Sequence, residues 1–276
     1  MSSSAALNFI DITYDDVGEG EVVVLVHGHP FNRSMWAPQL TALSESGYRA
    51  IAADLRGYGQ TSMVAGTGTT TLDIFAQDIV ALLDHLAIEK VAIVGLSMGG
   101  QIAMEFARQF PGRLRGLVLA ATFPQAETAD GIRARNAMAD RLLREGMNGY
   151  AQEALPRMLA EGSIVRAPAT TRSVLDMMRT TPVAGAAAAL RGRALRPGYE
   201  EVLAQLDMPA LVVVGDKDTF TSRQDADLMH RLLRRSRLVW MHDVGHMPNL
   251  EDTKAFDQEL IHFLKATSNL EQGPLP

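Results

Sequence analysis

Ser97 is the residue of this chain whose surroundings most strongly favour chemistry. It lies at the centre of a Gly-x-Ser-x-Gly pattern, between the apolar run 91–94 and a stretch, 101–107, that is typical of a helix. A strand that turns into a helix within so few residues strains the corner residue and requires small neighbours on both sides. Gly95 and Gly99 meet that requirement. The hydroxyl would stand above the sheet at the positive end of a helix, where a developing anion is stabilised.

The pattern at Ser97 predicts a nucleophile, with a glycine-rich turn and a merely polar serine as the alternative. Serine attacks poorly until a base takes its proton and a third group orients that base. Two carboxylates, Asp216 and Asp218, follow an apolar strand, and His246 follows the next predicted strand. The order Ser, Asp, His along the chain is one of the orders in which such triads occur. These residues together predict nucleophilic catalysis by a serine.

Six other histidines compete with His246 for the role of base. Three lie in predicted helices, one ends a predicted strand, and two follow an early strand: His85, His230, His262, His242, His27 and His29. We expect His27 to fix a turn by hydrogen bonds, and the backbone amide of His29 to matter more than its ring. No pair of histidines and carboxylates shows ligand spacing on one element, so we expect neither a metal nor a cofactor.

The elements that must position these residues alternate between strand and helix. Strands are predicted at 9–14, 22–26, 48–54, 91–94, 117–121, 210–214 and 238–242. Helices are predicted between most of them, and the continuous apolar runs are typical of strands that are buried on both faces. Such alternation with short connections predicts an α/β fold built on a doubly wound, mostly parallel sheet.

The alternation stops in the middle of the chain, where residues 123–208 show helical patterns without a convincing strand. We expect residues 1–122 and 209–267 to form the core. The insertion would lie as a helical cap over the carboxyl ends of the strands, where α/β folds keep their sites. Residues 268–276 are polar and end in proline, and we expect them to be disordered.

Composition narrows the possible classes of function. The chain has 276 residues, of which 47% are hydrophobic, a formal net charge of −6 and no cysteine. The acidic balance gives no indication of a nucleic acid or an anionic membrane as a partner. The lack of cysteine excludes thiol catalysis and disulfides. Because no apolar run approaches the ~20 residues of a membrane span and the N-terminus lacks a secretory pattern, we expect a soluble, cytoplasmic protein.

Five short motifs follow one another along the chain. They are His27-Gly28-His29-Pro30, Asp54-x-Arg56-Gly57-x-Gly59, Gly95-x-Ser97-Met98-Gly99-Gly100, Gly215-x-x-Asp218 and Gly245-His246-x-x-Asn249. With these motifs the sequence resembles the α/β-hydrolase superfamily, in the branch of esterases, lactonases and cofactor-free haloperoxidases with a helical cap. Each motif alone is weakly specific, but all five in this order are strongly so. The resemblance extends from about residue 8 to about residue 266.

The resemblance implies a role for each member of the predicted triad. Ser97 would be the nucleophile, His246 the general base and then the acid, and Asp218 the carboxylate that orients the imidazole. Asp218 is favoured over Asp216 because the family places this carboxylate three residues after the glycine. Asp216 would instead tie down the loop backbone.

The resemblance also implies an oxyanion hole made of two backbone N–H groups. One belongs to Met98, the residue after the nucleophile, and the other to His29, in the loop after the strand 22–26. Pro30 has no N–H to contribute. Substrate contacts are expected within the cap, between Phe123 and Asp207, without being assigned to single residues.

The resulting expectation is a serine hydrolase that cleaves a small-molecule carboxylic ester or lactone through an acyl-enzyme intermediate. Cofactor-free perhydrolysis, detected as haloperoxidase activity, and carbon–carbon bond hydrolysis use the same triad and stay open. A low-turnover small-molecule receptor on the same fold is an alternative of another class. Serine at position 97 argues against haloalkane dehalogenases and epoxide hydrolases, whose nucleophile is aspartate.

The predicted cap has a basic balance. Between residues 132 and 196 the chain carries eleven arginines against five carboxylates. A basic lid could steer anionic substrates towards a site beneath it. The favoured interpretation is a solvated helical face on which these arginines form ion pairs with acids one turn away.

Overall fold

The computed structural model describes the backbone of residues 2–271 and the side chains of residues 2–267. Within these residues an eight-stranded sheet is flanked by twelve α-helices. The strands are β1 (Ser2–Leu7), β2 (Ile10–Val17), β3 (Glu21–Val26), β4 (Tyr48–Ala53), β5 (Val91–Leu96), β6 (Leu114–Ala120), β7 (Ala210–Gly215) and β8 (Ser236–Met241). The helices are α1 (Ala37–Glu45), α2 (Leu72–His85), α3 (Met98–Gln109), α4 (Ala129–Glu145), α5 (Met147–Met158), α6 (Glu161–Arg166), α7 (Pro168–Thr180), α8 (Val183–Ala194), α9 (Glu200–Gln205), α10 (Arg223–Leu232), α11 (Pro248–Glu251) and α12 (Thr253–Glu271).

The sheet is doubly wound, with the strand order β1-β2-β4-β3-β5-β6-β7-β8. The pairs β1–β2 and β2–β4 are antiparallel, and the pairs from β4 to β8 are parallel. From β3 the chain moves first to β4 on one side and then crosses to β5 on the other. Open α/β sheets bind ligands at such a reversal, beyond the carboxyl ends of the strands. The predicted α/β fold with a mostly parallel sheet is confirmed.

The register of the central strands brings distant segments together at this reversal. Val26, the last residue of β3, pairs with Gly95 in β5. Leu96, the last residue of β5, pairs with Ala120 at the end of β6. The loop that starts at residue 27 and the turn at Ser97 therefore leave the sheet side by side.

Burial on both faces explains the apolar sequence of the central strands. Every residue of β5 is buried. Val91 and Ile93 pack into the apolar layer on one side of the sheet, whereas Ala92 and Val94 pack into the layer on the other side. Successive side chains of a strand point to opposite faces, so a strand with two covered faces has no polar position.

Six helices, α4 to α9, lie between β6 and β7, within the segment for which helical patterns are predicted. The two shortest, α6 and α9, have six residues each and were not predicted, because so short a segment shows no helical period. α8 packs against α4, where Leu142 contacts the buried residues Ala186 and Leu190 in a small apolar cluster.

The first strand is the main error of the sequence-based prediction. The strand expected at 9–14 corresponds to β2, but the chain also forms β1 before it, and Asn8 and Phe9 turn between the two with φ of 48° and 65°. β1 begins with three serines, which have low strand propensity. Its pairing with β2 along its whole length, from Ser2 opposite Asp15 onwards, is what makes it a strand.

The C-terminal helix α12 runs through Glu271 and so includes the first residues of the stretch for which disorder is predicted. The rest of that stretch, 272–276, lies outside the described residues, as does Met1. Across the part of the chain that the structure describes, none of the helices combines the length and the apolar character that crossing a bilayer requires.

Candidate active site

Ser97 lies at a strained corner between β5 and α3. Its φ and ψ are 56° and −115°, a region that residues with a side chain rarely adopt. A Cβ on Gly95 would overlap the backbone of Gly99, and a Cβ on Gly99 would overlap the carbonyl of Val26. Both glycines are therefore required by the close approach of β5, α3 and β3.

Neighbouring elements hold this corner in place. The backbone N–H of Ser97 donates to the carbonyl of Ala120 at 2.9 Å, and the Thr122 hydroxyl donates to the carbonyl of Ser97 at 2.8 Å. Such a conformation costs about 1–3 kcal/mol and persists only where surrounding contacts enforce it. Here the end of β6 supplies those contacts.

His246 and Asp218 form a buried pair. His246 Nδ1 lies 2.9 Å from Asp218 Oδ2 and 3.1 Å from Oδ1, and the two side chains are 4% and 0% exposed. Burial acts to raise the pKa of Asp218, but His246 and hydrogen bonds to the carboxylate bring it below its ordinary value. The backbone N–H of Phe220 is one of these donors, at 2.8 Å. An ionised carboxylate at Nδ1 leaves Nε2 available as a base.

Asp216 occupies a different environment from Asp218. It accepts a hydrogen bond from the backbone N–H of Asp243 at 2.9 Å and lies 2.9 Å from His242 Nδ1. These three residues are exposed, and their possible ligand atoms lie within 4.8 Å of one another. Asp216 therefore holds the loop after β8 rather than orienting His246.

Ser97 and His246 line the same cavity, which has a volume of about 290 Å³. Its walls come from loops beyond the strands and from α3, α4, α5 and α8. The remaining lining residues are His29, Gln101, Ala121, Thr122, Phe123, Arg135, Tyr150, Arg157, Met158, Leu190, Arg193, Thr219 and Phe220. The insertion, residues 123–208, thus supplies seven of them, three of which are arginines. A cavity of this kind suits a small molecule.

Of the two residues predicted to form an oxyanion hole, Met98 follows Ser97 in the chain and His29 lines the same cavity as Ser97. Met98 is the first residue of α3, where backbone N–H groups have no intrahelical acceptor. His29 follows β3 and lines the cavity, and its Nδ1 lies 2.8 Å from the Tyr58 hydroxyl. Burial first, and then the positive charge of Arg193, lowers the pKa of His29 well below its ordinary value.

The other charged and imidazole groups of the motifs stabilise the fold. His27 Nδ1 lies 2.9 Å from the carbonyl of Gly28, and Nε2 accepts from the backbone N–H of Leu55 at 3.0 Å. Arg56 binds Asp78 through two nitrogens, at 2.8 and 2.6 Å. None of these residues lines the cavity.

The arginines of the insertion, residues 123–208, include two kinds that differ in their surroundings. Arg141 pairs with Glu145, one turn away, and with Glu153, as a solvated helical face requires. Arg193 lines the cavity instead, and the sequence analysis did not single it out. A signal was present, because Arg193 lies on the same helical face as Ala186 and Ala189, at spacings of three and four residues. Because that face of α8 is buried, the guanidinium of Arg193 is buried as well.

The family model for the alpha/beta hydrolase family matches residues 23–259 of the chain. Together with the doubly wound sheet, this match shows that the chain belongs to the α/β-hydrolase family.

Lactonases, a peroxidase and an esterase are among the proteins that this chain resembles over most of their length. The chain is 28% identical to 3-oxoadipate enol-lactonase 1 of Acinetobacter baylyi, over 85% of each protein. It is also 28% identical to a non-heme chloroperoxidase of Kitasatospora aureofaciens, over 92% of this chain and 96% of the peroxidase. Among solved structures, a thermophilic esterase from Thermogutta terrifontis is 32% identical with a TM-score of 0.92, over 97% of this chain and 99% of the esterase. The enol-lactonase of Burkholderia xenovorans is 26% identical with a TM-score of 0.88, over 95% of this chain and 100% of the lactonase.

Proposed function

We propose that this protein is a serine hydrolase that cleaves a small-molecule carboxylic ester or lactone through an acyl-enzyme. The observation that carries the proposal is the buried Asp218–His246 pair, whose imidazole lines the same cavity as Ser97 on its strained corner. Serine, imidazole and carboxylate in this order are the components of acyl transfer. The similarity to esterases and enol-lactonases supports the choice of substrate.

In the proposed acylation step, Ser97 Oγ attacks the carbonyl carbon while its proton passes to His246 Nε2. The carbonyl oxygen becomes an oxyanion, which accepts hydrogen bonds from the backbone N–H groups of Met98 and His29. The bond to the leaving oxygen then breaks, and His246 returns the proton to that oxygen. Removal of one oxyanion donor in such a site costs about two to three orders of magnitude in rate.

In the proposed deacylation step, His246 takes a proton from water, and the resulting hydroxide attacks the acyl carbon. The bond to Ser97 Oγ breaks, the serine regains its proton from His246, and the carboxylic acid leaves. For a lactone the alcohol stays joined to the acyl group by carbon–carbon bonds throughout, so deacylation releases a single hydroxy acid. Asp218 stabilises the imidazolium that forms twice in the cycle.

We also propose that residues 123–208 act as a cap on a core made of residues 1–122 and 209–267. Helices α4, α5 and α8 contribute cavity walls, whereas Ser97 and the Asp218–His246 pair belong to the core loops. A substrate at Ser97 would therefore contact both parts, and the insertion would determine which acyl and alcohol groups fit.

Replacement of Ser97 by alanine tests the mechanism. The Ser97→Ala protein is expected to lose about four to six orders of magnitude in hydrolysis of p-nitrophenyl acetate and butyrate, because the nucleophile is gone. A fluorophosphonate should label the wild type on the peptide that contains Ser97 and should leave the variant unlabelled. Unchanged turnover in the variant would contradict the mechanism.

A panel of esters and lactones separates the enzyme from a receptor. Sustained multiple turnover by the wild type supports hydrolysis. A rise in melting temperature on adding an ester, without turnover of any panel member, would indicate a binding protein instead.

A further inference from the structure

Arg193 is a buried cation in the wall of the cavity that contains Ser97 and His246. The residue is 8% exposed. Its Nε donates to Oε1 of Gln101 at 3.1 Å. Among the described side chains, those of residues 2–267, no group forms an ion pair with the guanidinium or a hydrogen bond with Nη1 or Nη2. Within the described part of the chain, the edge formed by these two nitrogens has no protein partner.

The neighbours of Arg193 add to its charge instead of balancing it. Arg135 and Arg196 both bind the single carboxylate of Glu127. Burial, followed by the positive charges of Arg135 and Arg196, lowers the pKa of Arg193 well below its ordinary value. The carboxylate of Glu127 is thus paired with Arg135 and Arg196, and it does not pair with Arg193.

The lining of the cavity also contains more basic than acidic side chains. Besides Arg193 it contains Arg135 and Arg157, and no aspartate or glutamate of the described side chains lines it. Arg157 packs over the ring of Phe220, 4.2 Å from its centroid. Arg135 is paired with Glu127 outside the cavity, but Arg193 presents positive charge beside the proposed nucleophile with no acidic side chain in the described lining.

A buried charge is strongly unfavourable unless a counter-charge accompanies it. Arginine stays protonated in proteins, so Arg193 does not escape the cost by losing its proton. Its planar edge of two N–H-bearing nitrogens matches the two oxygens of a carboxylate. Gln101, which lines the same cavity, fixes the plane of the guanidinium through Nε.

We propose that Arg193 binds a carboxylate of the substrate, so that the compound hydrolysed at Ser97 is an anionic ester or lactone, such as a monoester of a dicarboxylic acid. This inference rests on the serine-hydrolase function proposed above. The substrate would complete the ion pair that the chain itself leaves open, and the anion would orient the scissile carbonyl relative to Ser97.

Two matched pairs of substrates test the inference in the wild type. p-Nitrophenyl hydrogen glutarate and p-nitrophenyl valerate differ by a carboxylate on the acyl side. The butyrate esters of 4-hydroxybenzoate and of 4-hydroxybenzamide differ by a carboxylate on the alcohol side. We expect kcat/KM to favour the anionic member of at least one pair, and increasing salt to weaken that preference. Equal values within both pairs would overturn the inference.

Variants of Arg193 test whether this residue causes the preference for anionic substrates. In Arg193→Gln the ratio of kcat/KM for the anionic to the neutral substrate should fall about 30-fold or more, mainly through KM, because the substrate carboxylate loses its buried partner. Arg193→Lys should restore part of the ratio. Arg141→Gln removes a cap arginine that does not line the cavity, and it should leave the ratio at its wild-type value.

Binding to the inactive protein separates this inference from the hydrolase proposal. Glutarate should bind Ser97→Ala in calorimetry, and binding should weaken by about the same factor in Ser97→Ala/Arg193→Gln. Equal glutarate affinities in the two proteins would reject the carboxylate site even if ester hydrolysis depends on Ser97. Persistent hydrolysis by Ser97→Ala would reject the mechanism even if glutarate binds through Arg193.

Discussion

At the scale of single residues, neighbouring groups decide which of two similar side chains can serve catalysis. Asp216 and Asp218 are two positions apart, yet Asp218 is buried against His246 and Asp216 lies in an exposed loop. His29 and His246 both line the cavity, but only His246 has a carboxylate at Nδ1, whereas Nδ1 of His29 lies 2.8 Å from the Tyr58 hydroxyl. The proposed roles follow from these partners rather than from residue type.

Substitution of each aspartate by asparagine tests the assignment of the orienting carboxylate. We expect Asp218→Asn to lower kcat for p-nitrophenyl butyrate by about 10⁴-fold, because the amide favours the wrong tautomer of His246 and does not stabilise the imidazolium. Asp216→Asn should hydrolyse the ester at a rate close to that of the wild type. Steady-state kinetics of both variants provide the check, and near-normal turnover by Asp218→Asn would reverse the assignment.

At the scale of elements, α8 connects the insertion to the core through contacts that only small residues permit. A Cβ on Gly185 would overlap the backbone of Gly57, and a Cβ on Gly192 would overlap the backbone of Thr70. The N–H of Thr70 also donates to the carbonyl of Ala188 at 3.0 Å. Because Leu190 and Arg193 belong to the same helix, this close approach positions one wall of the cavity.

Replacing a glycine at this contact should displace α8. We expect Gly185→Ala to lower the free energy of unfolding by about 1–3 kcal/mol, since the added methyl group meets backbone that has no room to move. The value of kcat/KM should fall with it because the cavity wall shifts. Urea unfolding and ester kinetics measure the two effects.

Gly149 provides the matched control for this prediction, because it also lies in a helix of the insertion. It is exposed, and a Cβ there would reach only an ordinary contact, 4.0 Å from Arg141 Nη2. Gly149→Ala should stabilise the protein by about 0.5–1 kcal/mol through helix propensity alone. If Gly185→Ala were as stable as Gly149→Ala, close packing of α8 on the core would not be needed for stability.

At the scale of the whole molecule, charge placement links the stability of the chain to pH. Burial acts to raise the pKa of Glu127, but hydrogen bonds from Arg196 and Arg135 lower it from 4.5 to about 2. The unfolded chain therefore binds this proton more tightly than the folded chain. Its contribution to stability is complete above about pH 5 and is lost as the pH falls from 4.5 towards 2.

The variant Glu127→Gln tests this linkage. At neutral pH it should be less stable than the wild type, because Arg135 and Arg196 lose their shared partner. The difference should shrink on acidification between about pH 5 and about pH 2. Glu153→Gln, which removes the exposed partner of Arg141, should show a much smaller difference at neutral pH, because solvent screens that pair. Urea midpoints across this pH range measure both, and a constant gap for Glu127→Gln would contradict the prediction.

Most of the fold could be predicted from the sequence because local physics dictates it. A parallel strand that is covered on both faces needs an apolar run, so β3, β5, β6 and β7 are visible as such runs. β1 could not be recognised in this way, because its serine-rich sequence becomes a strand only by pairing with β2. The short helices α6 and α9 could not be predicted for a related reason, because six residues are too few to show a helical period.

By itself the sequence determined the chemistry that the chain could perform. The pattern of Ser97 between two glycines, at a strand-to-helix turn, predicts a nucleophile through constraints that act within a few residues. An aspartate and a histidine after later strands predict its partners. Only the tertiary structure decided that Asp218 faces His246 and that Arg193 enters the cavity without an acid. Those outcomes depend on which side chains from distant parts of the chain come into contact, and the periodicity of a helix or strand carries no information about such contacts.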